Sequence, residues 1–244
     1  MRVRLQILAV SFCAALQSAL VANAAPPPMV KAWIVEQSSN WGKSTVKACD
    51  AGIRIESNTG SILVAKPPEW TVVIYRPGQK VASKNSYARF ITKYPHSTKM
   101  ENFHHSYAKV KMAGAAARQY VLPLNRRLDP NDGFGHTFQA KLEVPFVKDQ
   151  MMTIADDSIK LPPQAKEIWR QYFEFPLVER VPLEYYMLLG NGQKRYQFQT
   201  GAQKYGSVPV SEFDFPPGLK YSAEFMQMIY GKQLEDAADL FSSP

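Results

Sequence analysis

The stretch EWTVVIYRPGQKVA, residues 69–82, constrains the fold more than any other part of this chain. It reads as a strand from Trp70 to Tyr75 that is apolar on both faces, followed by a Pro-Gly turn and a return strand. Pro at the second turn position and Gly78 at the third are typical of a type II turn, which requires a positive φ at the glycine. A strand that is apolar on both faces predicts a sheet covered on both sides.

Short extended segments separated by turn residues continue on either side of this hairpin. Their spacing is typical of an antiparallel sheet, and Gly190-Asn191-Gly192 predicts a further hairpin. Residues 97–118 and 124–137 fit neither strand nor helix patterns clearly. The other predicted strands are 32–35, 44–48, 53–57, 61–65, 142–146, 151–155, 183–189, 194–200 and 208–213.

Helices are fewer, and the clearest follows Pro162-Pro163. Within residues 164–173 apolar side chains recur at the spacing of one helical face, namely Ala165, Ile168, Trp169, Tyr172 and Phe173. Three further helices are predicted at 87–94, capped by Ser86, at 223–230, capped by Ser222, and at 233–241.

The first 24 residues have the pattern of a secretory signal peptide. Two arginines precede an uncharged, mostly apolar run of about 17 residues, and Ala22 and Ala24 form the small-residue site that precedes cleavage. A membrane anchor is the alternative, but the run is short for a span of roughly 20 residues. We therefore expect a single domain, residues 25–244, in the periplasm or another extracytoplasmic space, with a helical segment at 222–241.

Composition limits the partners of that exported chain. The full sequence has 29 basic and 21 acidic residues, and removal of Arg2 and Arg4 leaves 27 against 21, a net charge of +6. The basic residues are dispersed and form no nucleic-acid motif, so nucleic acid is not an expected partner. Cys49 would be the one cysteine left, which excludes an intramolecular disulfide.

Sequence motifs for catalysis and for metal or cofactor binding are absent. The chain has no G-x-S-x-G, H-E-x-x-H, C-x-x-C or phosphate-binding glycine loop. His104 and His105 are neighbours and would point apart in regular structure, and the Asp129–Gly133 sequence places its glycine one position early for a calcium loop. We expect no cofactor, no metal and no catalytic residue, although a carboxylate site assembled from distant strands remains open.

Three segments together resemble the LolA-like lipoprotein-carrier superfamily. SILVAKPPEWTVVIYRPGQKVA resembles its central strands, GNGQKRYQFQT the hairpin before its last strand, and SEFDFPPGLKY its closing segment. The resemblance spans roughly residues 46–220. It implies an α+β, mainly antiparallel fold, a strongly curved unclosed barrel or half-barrel with helices over the concave face, and an apolar cavity that holds acyl chains in the carriers.

On that fold, Val73 and Tyr75 would face away from the helices. The concave face would carry the ligand, and its expected lining residues are Trp70, Val72, Ile74, Ile168, Trp169, Tyr172, Tyr196 and Phe198. The alternative is that the same residues pack an ordinary core without a cavity, which is the commoner role of aromatic helix stripes.

One departure from the carriers changes the functional expectation. They begin with an amphipathic helix that forms part of a lid, whereas residues 25–45 have no helical stripe. The leading hypothesis is an exported, non-catalytic protein that binds an apolar or amphipathic, lipid-like ligand. The competitor is an interaction or structural subunit of an extracytoplasmic complex in the cell envelope, with Pro26-Pro27-Pro28 as a semi-rigid arm and an exposed apolar patch around Val73 and Tyr75. An enzyme is the third possibility.

Overall fold

A computed structural model describes residues 26–39, 42–92, 107–127, 146–173 and 180–222. The predicted signal peptide, both helices predicted after Ser222 and most of the strand predicted at 142–146 lie outside these residues. Those four predictions therefore stay predictions.

The fold is α+β and mainly antiparallel, as the sequence predicts. One sheet has the strand order β12-β6-β5-β4-β3-β2-β1-β11-β10-β9-β8-β7, and all its pairs are antiparallel except β12 with β6. The outermost strands, β12 and β7, do not pair with each other, so this curved sheet is not closed. The strands are β1 Met29–Ser39, β2 Gly42–Cys49, β3 Gly52–Ser57, β4 Ile62–Ala65, β5 Val72–Tyr75, β6 Val81–Asn85, β7 Tyr107–Met112, β8 Ala115–Arg127, β9 Phe146–Ala155, β10 Pro182–Leu189, β11 Lys194–Pro209 and β12 Lys220–Ser222.

Two α-helices pack on the same side of the sheet, which we call the inner face. Helix α1, Tyr87–Thr92, begins after Ser86, whose Oγ accepts a hydrogen bond from the Arg89 amide at 3.3 Å, as predicted. Helix α2, Pro163–Phe173, buries Ile168, Trp169 and Phe173 in the main core. The opposite side of the sheet is the outer face.

Strand β5 divides its side chains between the two faces as expected. Val72 and Ile74 belong to the core beneath the helices, whereas Val73 and Tyr75 join a second cluster on the outer face. Gly78 has φ +82°, which confirms the predicted turn. Trp70, however, precedes the strand with φ +51°, and so the predicted strand starts two residues too early.

The outer face of β1–β6 is covered by the chain itself. After β11, residues 210–219 cross behind the sheet before β12 joins its edge, and we call them the return segment. Phe213 is buried against Ala32 and Cys49, while Phe215 and Leu219 pack on Val64, Val73, Tyr75 and Ala82. The patch predicted around Val73 and Tyr75 is therefore not exposed.

The strand predicted at 208–213 is wrong beyond its first two residues. β11 ends at Pro209, and residues Val210–Phe213 form a 3₁₀ turn instead. The reason lies in the partner strand: Pro209 pairs with Met29, the first residue of β1, so the ladder offers no further partner. The Val210 amide bonds instead to the Pro28 carbonyl at 2.9 Å.

Candidate binding face

The inner face is built from side chains that align in rows across adjacent strands. Because directly opposed residues of an antiparallel pair share a face, the register defines these rows. One apolar row contains Trp33, Ala48, Ile53 and Ala65, and the next contains Val35, Val46, Ile55, Leu63 and Ile74. All nine are buried. These two rows form the floor beneath the helices.

A polar row interrupts this apolar floor. Thr200, Gln37 and Ser44 oppose one another on β11, β1 and β2, and their exposed fractions are 4%, 3% and 6%. Thr200 Oγ1, Gln37 Nε2 and Ser44 Oγ are buried without a hydrogen-bond partner in the described part of the chain. An unpaired buried polar group costs on the order of 1–3 kcal/mol. Three adjacent ones therefore form a feature that packing alone does not favour.

Trp169 of α2 lies directly over this polar row. Its ring contacts Trp33 and Phe198 edge-on, with centroid separations of 5.3 and 6.0 Å. Its indole N–H donates to Gln37 Oε1 at 3.2 Å. An indole nitrogen can only donate, so this bond fixes which end of the Gln37 amide is oxygen and leaves Nε2 directed elsewhere.

Tyr172 lies on the same helix but at the edge of the covered area. It is partly exposed, and its hydroxyl is 3.4 Å from Ser61 Oγ. Burial of the hydroxyl raises the pKa of Tyr172, although hydrogen bonds to Ser61 and Ser57 act in the opposite direction. The phenol is therefore neutral across the physiological range and acts as a hydrogen-bonding group at this edge.

Most of the residues predicted to line the ligand site belong to this one face. Ile168 and Phe198 lie in the main buried cluster together with Trp70, Val72, Ile74 and Trp169, and Tyr172 packs against it. Whether they line a ligand stays a prediction.

Tyr196 is the exception, because a β-bulge moves it to the outer face. In the pairing of β10 with β11, Tyr185 opposes Phe198 but Tyr186 opposes Tyr196, so Gln197 is the extra residue. The bulge cancels the expected two-residue alternation between Tyr196 and Phe198. Tyr196 instead contacts Tyr186 with ring centroids 5.3 Å apart and remains 38% exposed.

The apolar inner face extends beyond the area that the helices bury. On β8, Tyr120 and Leu122 oppose Met152 and Gln150, pack against the main cluster and are still partly exposed. Val110 and Met112 of β7 are also partly exposed where they pack against it. These residues form an accessible apolar edge that is continuous with the buried floor.

Polar groups on the outer face have partners. Lys47 pairs with Glu212 of the return segment and, at 3.8 Å, with Glu56. Arg54 Nε donates to Glu56 at 2.6 Å, and its Nη1 donates to the Tyr75 hydroxyl and the Glu212 carbonyl, each at 3.2 Å. Burial alone would raise the pKa of Glu56, but the hydrogen bond and charge of Arg54, together with Lys47, lower it.

Glu184 on β10 is the buried carboxylate of the other flank. It accepts hydrogen bonds from Gln199 Nε2 at 3.2 Å and Thr153 Oγ1 at 3.4 Å. Burial raises its pKa, and these bonds and the charge of Lys194 only partly offset that rise. No second carboxylate contacts it among the described residues, so a paired-carboxylate mechanism finds no geometry there.

Two features that would define other kinds of site are absent from the described residues. They contain no group of three or more His, Cys, Asp or Glu side chains arranged to hold a metal ion. None of their helices combines the length and the apolar character needed to cross a membrane.

The sequence did not reveal the polar row. Gln37 and Ser44 are seven positions apart in the sequence, and they face each other because β1 pairs with β2 in that register. Thr200 is more than 150 residues away, and only the register of β1 with β11 brings it beside Gln37.

Comparison with known proteins finds solved structures that are weakly similar to this fold. No protein-family model and no curated protein matches the chain. A solved structure of an uncharacterized conserved protein from Thermus thermophilus aligns with a TM-score of 0.41 and 9% identity, covering 78% of this chain and 89% of that one. A candidate outer membrane lipoprotein-sorting protein domain from Vibrio parahaemolyticus aligns with a TM-score of 0.23 and 9% identity, covering 90% and 95%. Both scores are too low to indicate what this chain binds.

Proposed function

We propose that this chain is an exported, non-catalytic binding protein that holds an apolar or amphipathic, lipid-like ligand between the inner face and the two helices. The observation that carries the proposal is the continuity of that face. A floor of buried apolar rows runs outward to Tyr120 and Leu122, which remain partly exposed. An apolar ligand can therefore reach the edge of the floor from solvent, and its burial there is favourable at about 25 cal/mol per Å².

The sequence resemblance supports the same proposal. In LolA-like carriers the concave face holds acyl chains, and this chain has the same arrangement of a curved, unclosed sheet with helices on one side. A signal peptide at residues 1–24 would deliver it outside the cytoplasm, where such ligands are transferred between envelope components.

Tryptophan fluorescence tests the proposal directly. Trp33 belongs to the floor of the inner face and Trp169 to the helix that covers it. Trp70 lies in the same buried cluster. A fatty acid or lysophospholipid added to the mature chain should change the emission saturably. Native mass spectrometry after gentle extraction would then report whether the purified chain retains a lipid or a protein partner, and a retained protein would favour the interaction-subunit alternative.

A pair of matched variants separates a ligand site from a packed core. Ile74 and Val73 are neighbours on β5, fully buried on the inner and outer faces respectively. Ile74→Phe and Val73→Phe should each cost about 1–3 kcal/mol through overpacking. Only Ile74→Phe should weaken ligand binding. If no apolar ligand binds the wild-type chain, the inner face is a packed core and the proposal is wrong.

A further inference from the structure

We propose that Gln37, Ser44 and Thr200 together bind an uncharged hydrogen-bond acceptor, such as the carbonyl of an ester or amide, in an amphipathic ligand. The inference rests on the proposed function and specifies the ligand chemistry of the same face. It follows from three buried polar atoms that share one row and have no partner in the described part of the chain.

The geometry of the row places a hydroxyl on each side of Gln37. Cβ atoms of directly opposed residues in an antiparallel sheet lie about 4.5–5.5 Å apart. Gln37 is opposed by Thr200 on one side and by Ser44 on the other. Its side chain thus lies between two hydroxyls, and one small group can contact Gln37 together with the hydroxyl on either side of it.

The unpaired groups of this row can all donate hydrogen bonds, so the matching ligand group is a hydrogen-bond acceptor. The Trp169 indole occupies Gln37 Oε1, so the amide presents its N–H₂ end, which can only donate. The two hydroxyls can donate as well. A carbonyl oxygen has two lone pairs and accepts from two such donors, whereas an alkyl chain would leave all three unpaired.

Charge in the neighbourhood disfavours an anionic group. The inner-face residues beside the row on its own strands include Phe198, Val35 and Val46, none of which ionises. On the covering helix, the buried Arg170 is already paired with Glu167 at 2.9 Å. A carboxylate or phosphate buried there would lack a counter-charge, and its desolvation cost would be several kcal/mol. The row therefore fits a neutral ester or amide and disfavours a free fatty-acid anion.

Paired hydroxyl deletions provide the test. Ser44→Ala with Thr200→Val removes both hydroxyls and keeps the shapes of the side chains close to the original. The probes are methyl laurate and n-pentadecane, which have equal numbers of heavy atoms, and the laurate anion, each delivered from cyclodextrin to the mature chain. Thr45→Val, on the outward-facing neighbour of Ser44, is the matched control.

The readout is the ratio of dissociation constants for methyl laurate and n-pentadecane. In the double variant we expect this ratio to shift about tenfold against the ester, the equivalent of one net hydrogen bond. Binding of n-pentadecane should be unchanged, and Thr45→Val should leave the ratio at its wild-type value. We also expect wild-type protein to bind the laurate anion more weakly than the ester.

The other possible results show whether this inference alone is wrong or the proposed function is wrong as well. If ester and alkane bind but the ratio is the same in the double variant, the polar row does not contact the ligand and this inference is wrong while the proposed function stands. The same conclusion follows if the double variant only lowers the stability of the ligand-free chain, since the hydroxyls would then hold an ordered water. If no probe binds, both the inference and the proposed function are wrong. Thr200→Val alone serves if the double variant does not fold.

Discussion

The two faces of the β1–β6 flank are both covered, but they differ in whether their polar side chains have hydrogen-bond or ion-pair partners. On the outer face, Lys47 and Arg54 are paired with carboxylates, and the return segment supplies one of those carboxylates itself. On the inner face, Gln37, Ser44 and Thr200 each keep a buried polar atom without a partner in the described residues. Asn85 and Gln150, which share the inner face with Val72 and Met152, each keep one as well.

The difference indicates separate purposes for the two covers. A cover that exists for stability satisfies the polar groups beneath it, because each one left unpaired costs free energy. A face that retains several unpaired groups has given up stability, which is typical of functional sites. The outer cover therefore has the features of a structural cover, whereas the inner face keeps the unpaired groups that are consistent with the proposed binding.

The largest expected effects come from removing the central side chain of each cover. Trp169→Ala and Phe213→Ala each delete a fully buried aromatic ring and should lower the free energy of unfolding by about 3–5 kcal/mol. Ligand binding separates them: Trp169→Ala should abolish it, and Phe213→Ala should leave the dissociation constant unchanged below the melting transition. Equal loss of binding in both would remove the functional distinction between the faces.

Two glycines sharpen the description of the outer cover. Gly52 has φ +153°, and a Cβ there would lie 2.7 Å from the Ala65 carbonyl oxygen and 3.1 Å from Phe213 Cβ. Gly78 has φ +82° but open space around it. Gly52→Ala should therefore cost about 2–3 kcal/mol, because strain and collision add, and Gly78→Ala about 1 kcal/mol from strain alone. Chemical denaturation measures both, and equal costs would mean that the backbone at Ala65 and the return segment at Phe213 both shift easily.

The smallest effects concern pH and compare two carboxylates. The pKa of Glu56 is lowered, so its contribution to stability is present above the unfolded-state value near 4.5 and is lost as pH falls through the folded-state value. Glu56→Gln should lower stability at neutral pH by less than about 1 kcal/mol, and this difference should disappear in acid.

Glu184 should show the opposite profile. Its pKa is raised, so its contribution is present below the unfolded-state value near 4.5 and is lost as pH rises through the folded-state value. Glu184→Gln should then stabilise the chain at neutral pH and have little effect in acid. Thermal unfolding at several pH values measures both variants, and parallel profiles would contradict the assignment of the two environments.

The sequence predicted those elements whose conformation depends on a few neighbouring residues. The Pro-Gly turn, the two-sided strand Val72–Tyr75 and the stripe on α2 each follow from a few neighbouring residues. β7 and most of β8 were not predicted, because the run Ala113–Ala117 has neither alternation nor β-branched residues. In the structure β7 pairs with β8 across this run, and β8 pairs with β9 on its other side.

The candidate site was predicted less completely, for a related reason. Apolar positions on single elements, such as Ile74 or Trp169, could be placed on a face from periodicity. The orientation of Tyr196 depends on a bulge, and the row of Thr200, Gln37 and Ser44 depends on a register between distant strands. Neither the bulge nor this register can be recognised from a short stretch of sequence.

The route of the return segment also dictates an order of events during folding. The hairpins of β1–β6 are built from neighbouring residues, but β1 must also pair with β11 across about 170 positions. The outer side is covered only when the return segment, residues 210–219, arrives. Loop closure over such distances is slow. Until it is complete, Val64 and Val73 on the outer side are exposed, and this apolar surface is prone to aggregation. If the chain is exported from its N-terminus, as we propose, this side stays bare until the return segment has followed. Under that proposal, avoiding aggregation during export would depend on proteins that hold the chain or on rapid release, more than on the stability of the finished sheet.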